Sequence, residues 1–110
     1  MYKVLFICTY NQCRSPTAEH VFADWPGIEA RSAGVGDEAK VPLSQELIDW
    51  ADLIVVMEQA HREALSRRFP PHVGAKRVVC LEIPDEYQYM DPVLVQMLRE
   101  RVPGFLPTAT

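Results

Sequence analysis

Apolar positions along the chain gather into four short runs separated by stretches of helical period. The runs lie at 3–8 (KVLFIC), 28–33 (IEARSA), 52–57 (DLIVVM) and 77–83 (RVVCLEI). Three are nearly continuous, as in parallel strands covered on both faces, whereas IEARSA alternates like a strand at a sheet edge. Between the runs, Ala18, Val21, Phe22 and Trp25 recur at i, i+3, i+4 and i+7, and Leu94, Met97, Leu98 and Val102 form a similar stripe. Leu47, Ile48 and Ala51 mark a short helix. Met57, Ala60, Ala64 and Leu65 mark a longer one, stopped by Phe69-Pro70-Pro71.

Strand and helix therefore alternate four times, which predicts right-handed crossovers and one parallel sheet. The expected fold is a three-layer, doubly wound α/β domain, with a four-stranded parallel sheet in the order 2-1-3-4 and helices on both faces. Residues 1–110 read as a single domain. The segment AGVGDEAKVP (33–42) is the most loop-like, and the tail PGFLPTAT (103–110) is expected to fray.

Composition narrows the function classes. A net charge of −4 leaves no basic field to hold a polyanion, so nucleic acid is not an expected partner. No apolar run approaches the roughly 18 residues of a membrane span, and the start lacks a signal-peptide pattern, so the reading is a cytoplasmic protein without a membrane partner. Three cysteines, Cys8, Cys13 and Cys80, are too few and too unevenly spaced for a disulfide scaffold. Cys80, inside RVVCLEI, reads as a small buried hydrophobe.

Cys8 is different, because it ends the first strand. In doubly wound sheets ligands bind at the carboxyl ends of strands, where a loop turns into a helix. Here the stretch VLFICTYNQCRSPTAE places a thiol there, followed six positions later by Arg14. A helix N-terminus and a nearby cation both favour the thiolate form of a cysteine. Pro16 suits the first turn of the helix that follows. A loop from Cys8 to Arg14 can aim its N–H groups at an anion, and the guanidinium of Arg14 can bind two phosphate oxygens at once. Asn11 is a residue type that tolerates left-handed backbone, and the Ser15 hydroxyl can donate to a thiolate.

These residues resemble the active-site segment of the low-molecular-weight protein tyrosine phosphatases, whose pattern runs V-C-x-G-N-x-C-R-S-P-x-A-E after an apolar strand. RSAG (31–34), ADLIVVMEQAHREAL (51–65) and IPDEYQYMDP (83–92) resemble further family segments. The resemblance implies that Cys8 is a nucleophile forming a phosphocysteine. It also implies that Cys8, Thr9, Tyr10, Asn11, Gln12, Cys13 and Arg14 form the phosphate-binding loop. Arg14 would stabilise the transferring phosphoryl group, while Asn11, Ser15 and Ser32 would hold the loop's shape. Cys13 matches a family cysteine that can close a reversible disulfide with the nucleophile, and simple packing is the alternative.

A phosphate ester needs a general acid at its leaving oxygen, and two aspartates compete. Asp91 precedes Pro92 and an apolar periodic run, as an N-cap does. Asp85 follows the fourth strand closely, at the binding edge of the sheet, and I-P-D-x-Y resembles members carrying I-P-D-P-Y. Asp85 is favoured. Glu86 replaces the proline usual after it, and Tyr87 matches an aromatic that walls the family's pocket, with surface packing of Tyr87 or Tyr89 as the alternative.

Between SAG and ADLIVVM the chain is much shorter than ordinary members. Tyr10 stands where the family has glycine: it is either strained at positive φ or lines the entrance. Gln12 stands where tyrosine phosphatases of the family tend to carry an aliphatic residue and arginine phosphatases a threonine. His20, His61 and His72 lack ligand spacing and read as solvated, as do the charges of HREALSRRF and AKRV. The expectation is a phosphomonoester hydrolase acting through a cysteinyl-phosphate on a phosphorylated protein or small aryl phosphate, with no cofactor and no metal. The alternatives are a phosphoresidue-binding regulatory module and a thiol-dependent arsenate reductase, which would need a further cysteine as a relay.

Overall fold

A computed structural model describes residues 1–74 and 76–107. Four parallel strands, β1 (Tyr2–Cys8), β2 (Ile28–Gly34), β3 (Leu53–Val56) and β4 (Arg77–Cys80), form one sheet in the order β2-β1-β3-β4, as the alternating pattern predicts. The register sets Cys8 beside Gly34 on one side, while Ile7 faces Val56 on the other.

Successive side chains of a strand point to opposite faces, and the apolar runs supply both. Val4, Phe6, Cys8, Leu53 and Val55 face α1 (Arg14–Phe22) and α5 (Pro92–Arg101). Leu5, Ile7, Ile54 and Val56 face α2 (Gln45–Trp50) and α3 (Gln59–Arg68). This double coverage explains why three strands read as continuous apolar runs. The alternating β2 is indeed at an edge, with Glu29 and Arg31 exposed.

Three boundaries differ from the sequence reading. Trp25 lies beyond the end of α1 and packs on Phe22, with ring centroids 5.2 Å apart, before a turn at Gly27 of φ 79°. Met57 is buried ahead of α3 and Ala60 is exposed, so the buried stripe of α3 is His61, Ala64 and Leu65. Pro70 and Pro71 end α3 and also open a short helix, α4 (Pro70–Val73), because proline at a first turn forfeits no ladder bond. Within the tail expected to fray, Pro103–Phe105 forms a 3-10 turn and Leu106 is buried against the α1/α5 core. The rest of that tail, 108–110, lies outside the described residues.

Candidate active site

β1 ends at Cys8, and the chain then curls through residues 9–13 into α1. Cys8 is 3% exposed, and its Sγ lies 3.0 Å from Ser15 Oγ. Asn11 takes the left-handed conformation its residue type allows, φ 55°, and its Nδ2 donates to Ser15 Oγ and Ser32 Oγ, both at 2.9 Å. Ser32 in turn donates to Glu19 Oε1. The Ser15 hydroxyl has two takers for its one proton: the Cys8 sulfur and Ala33 O at 3.3 Å. A thiolate at Cys8 would draw that proton toward sulfur.

The backbone of β2 and its following loop press against this curl. Gly36 N–H donates to Thr9 O at 2.8 Å, and Lys40 N–H to Tyr10 O at 3.0 Å. At Gly34 a Cβ would stand 2.5 Å from Thr9 O and 2.7 Å from the Ala39 side chain, so only glycine fits this approach. Tyr10 is not among the residues at positive φ; its ring is half exposed and lies alongside Gly36. Of the two readings for Tyr10, the unstrained entrance residue is therefore the observed one.

Arg14, the first residue of α1, is 2% exposed. Its Nη1 donates to Glu58 Oε1 at 2.5 Å and to Ile83 O at 2.8 Å, its Nη2 to Thr9 Oγ1 at 3.4 Å, and its Nε faces Asp85 Oδ1 at 3.7 Å. One nitrogen is thus tied back, while Nη2 reaches the loop at Thr9 and Nε faces Asp85. Glu58 caps α3, and three residues on His61 is buried, contrary to its expected solvation. Glu58 N–H donates to His61 Nδ1 at 3.0 Å, which leaves the proton of the neutral ring on Nε2, 2.9 Å from Thr9 Oγ1. Burial, and after it the Arg14 charge, lowers the His61 pKa to about 4. Sequence reasoning missed both Glu58 and His61.

Asp85 comes to the same place. It lines a cavity of about 110 Å³ with Cys8, Tyr10, Gln12, Cys13 and Arg14. Asp91 is instead the N-cap of α5, its carboxylate accepting from Val93 N–H at 2.9 Å. The segment between them is tied to α1: Thr17 Oγ1 accepts from Met90 N–H at 2.9 Å and donates to Cys13 O at 2.6 Å. Tyr87, expected at the pocket wall, is half-buried against the α1/α5 core and is not among the residues lining the cavity. Tyr10, the other residue expected at the pocket wall, lines the cavity.

Cys13 is a half-buried free thiol at the cavity, and Gln12 is exposed at its rim. Cys80, half-buried rather than buried, packs on the α2/α3 face of the sheet, opposite Cys8. His72 is half-buried and contacts Asp49 at 2.8 Å, and exposed His20 approaches the Tyr89 hydroxyl at 3.4 Å. Among the described residues, no three His, Cys, Asp or Glu side chains are grouped to hold a metal ion, and no helix is long and apolar enough to cross a membrane.

The family model for low molecular weight phosphotyrosine protein phosphatases matches residues 3–46, which hold the loop, α1 and β2. A protein-arginine-phosphatase of Geobacillus stearothermophilus is 36% identical over 93 aligned positions, covering 63% of this chain and 63% of the relative. A low molecular weight protein-tyrosine-phosphatase of Streptomyces coelicolor is 32% identical, covering 70% and 65%. The chain thus spans less than two thirds of the length of these relatives. Among solved structures, the tyrosine phosphatase Wzb of Escherichia coli K30 in complex with phosphate superimposes with a TM-score of 0.74 at 28% identity, covering 91% of this chain and 93% of that one.

Proposed function

This chain belongs to the low molecular weight phosphotyrosine protein phosphatase family, and on that premise we propose that it hydrolyses phosphomonoesters through a phosphocysteine on Cys8. The carrying observation is that Cys8, Arg14 and Asp85 line one small cavity, with the Cys8 sulfur 3.0 Å from a hydroxyl.

In the first step the Cys8 thiolate attacks phosphorus, the S–P bond forms and the P–O bond to the leaving group breaks. Asp85 gives that oxygen its proton, so the product leaves as an alcohol or phenol rather than an alkoxide. In the second step Asp85, now ionised, takes a proton from water as the water oxygen attacks phosphorus. The thiolate and inorganic phosphate are released. The equatorial oxygens carry the developing charge, and Nε and Nη2 of Arg14 with the N–H groups of the loop face it. Ser15 supports the thiolate as leaving group in the second step by turning its proton to sulfur. Asn11 and Ser32 hold the loop that does this, and Cys13 can form a reversible disulfide with Cys8 when the enzyme is oxidised.

The rim supports two substrate readings. The half-exposed Tyr10 ring offers a face on which a phenyl ring can stack, which supports phosphotyrosine or an aryl phosphate. A second reading, phosphoarginine, is favoured by the 36% identity to a protein-arginine-phosphatase and by Gln12, a polar residue at the rim.

Mass spectrometry of enzyme quenched during turnover tests the mechanism: a phosphate adduct on Cys8 is expected, and Cys8→Ser loses turnover. Hydrolysis at the wild-type rate by Cys8→Ser would overturn it. Phosphopeptide binding without turnover would make the chain a binding module instead. Parallel phosphotyrosine and phosphoarginine peptides decide between the two substrates.

A further inference from the structure

Beside the catalytic cavity lies a second and larger one, a groove of about 830 Å³ between α1 and the outer edge of β2. The two meet at Gln12, which lines both. The exposed large apolar residues of the described chain are Met1, Tyr10, Val41, Tyr89 and Val93. Met1, Val41 and Tyr89 line the groove and Tyr10 lines the cavity, so four of these five lie around two neighbouring cavities that share Gln12. Single exposed apolar side chains are ordinary, but their gathering there marks an interaction surface.

The groove also has a main-chain wall. Gly27 O and Val35 N–H bond to β1, at Tyr2 N and Cys8 O, so the odd-numbered residues of β2 turn their peptide groups toward β1. By alternation the even-numbered ones turn theirs to the open edge. At Gly34 that edge is already occupied: its N–H donates to Val41 O and its O accepts from Leu43 N–H, both at 2.9 Å, in a parallel bridge. Ala30 and Ser32, next in the same row, line the groove, and their main-chain groups have no partner there among the described residues.

We propose that this groove receives the polypeptide on one side of a protein substrate's phosphorylated residue. That segment pairs as a fifth strand with Ala30 and Ser32 and sets its apolar side chains against Val41 and Tyr89. An unpaired edge is a template for such strand addition. The occupant is a substrate chain because the groove adjoins, at Gln12, the cavity that would hold the phosphorylated residue, and the proposal rests on the phosphatase reading of that cavity. About five residues would span Ile28 to Ser32.

The test extends a phosphotyrosine peptide by up to five residues on each side and measures kcat/KM with the full chain, beside p-nitrophenyl phosphate. Non-hydrolysable phosphonate versions of the same peptides are titrated by calorimetry. Extension on one side is expected to raise kcat/KM and phosphonate affinity about tenfold or more. N-methylation at alternate peptide residues abolishes the gain, and methylation of the residues between them does not. Val41→Asp removes most of the gain and leaves p-nitrophenyl phosphate turnover within about twofold. No gain on extension, or a gain indifferent to methylation and to Val41→Asp, overturns the proposal. So does a dimer seen by sedimentation that Val41→Asp dissociates, which would give the groove to a second copy. If no ester is hydrolysed the phosphatase reading fails, and the phosphonate affinities still decide the groove.

Discussion

Glu58 holds the guanidinium of Arg14 on one side: its Oε1 is 2.5 Å from Nη1, while Nη2 reaches Thr9 in the loop and Nε faces Asp85. A flexible arginine would have to find the bidentate geometry each time phosphate bound, whereas this one is already oriented. Glu58→Ala is therefore expected to lower kcat/KM about tenfold to hundredfold, the equivalent of a charge-assisted hydrogen bond of ~1.5–3 kcal/mol. Glu58→Gln, which can still accept from Nη1, falls between. Tighter inhibition by inorganic phosphate in both variants would mean that Glu58 only competes with the anion, and would reject the orienting role.

Asp85 lies at the cavity and Asp91 caps a helix, so their asparagine variants should separate cleanly. Asp85→Asn is expected to lower kcat about 10²–10⁴-fold for alkyl phosphates, and less for p-nitrophenyl phosphate, whose leaving group needs no proton. Asp91→Asn should stay within about twofold of wild type in rate and in stability, because asparagine caps as well as aspartate; Asp91→Ala loses about 1 kcal/mol of stability. A collapse of rate in Asp91→Asn alone would move the general acid to Asp91.

The contrast between these aspartates was legible because each has a local signature: Asp-Pro before an apolar period reads as a cap, and Ile-Pro-Asp after a strand reads as a loop at the binding edge. The fold was legible for a related reason, since strands covered on both faces must be continuously apolar. Glu58 and His61 were not legible. Both sit in MEQAHREAL, a run whose charge reads as a solvated helix face, and nothing local records that the helix start points at the Cys8–Arg14 loop. The available signal was positional: order 2-1-3-4 puts the carboxyl end of β3 beside that of β1, so polar residues just after β3 face the same site. Tyr87 carried two readings, pocket wall or plain packing, because its motif records nothing of which way the ring turns; the ring packs against the α1/α5 core.

Asn11 serves the loop twice, through a left-handed backbone and through two hydrogen bonds to Ser15 and Ser32. Asn11→Gly removes only the bonds; Asn11→Ala removes the bonds and adds the left-handed penalty. Urea denaturation should place Asn11→Ala about 2–4 kcal/mol below wild type and Asn11→Gly about 1 kcal/mol less destabilised. Equal losses would show that the backbone conformation contributes nothing to the choice of residue.

His61 gives the fold a pH dependence whose sign is fixed by its geometry. Nδ1 already accepts the Glu58 N–H, so protonation there would set two N–H donors against each other and break the bond at the start of α3. Burial and the Arg14 charge oppose the same proton, and the pKa falls from 6.5 to about 4. Between those values the unfolded chain binds a proton at this position that the folded chain refuses, so stability rises with pH. The contribution is complete above pH 6.5 and is lost as pH falls toward 4, by at most about 3 kcal/mol across the window at 1.36 kcal/mol per unit, and by less where solvent screens the ring. His61→Gln cannot titrate. Its stability deficit relative to wild type, measured by urea unfolding from pH 7.5 downward, should therefore shrink by up to that amount by pH 4. A deficit constant across that range would mean that His61 does not change its proton occupancy on unfolding, and the bond to Glu58 would not be what keeps it neutral.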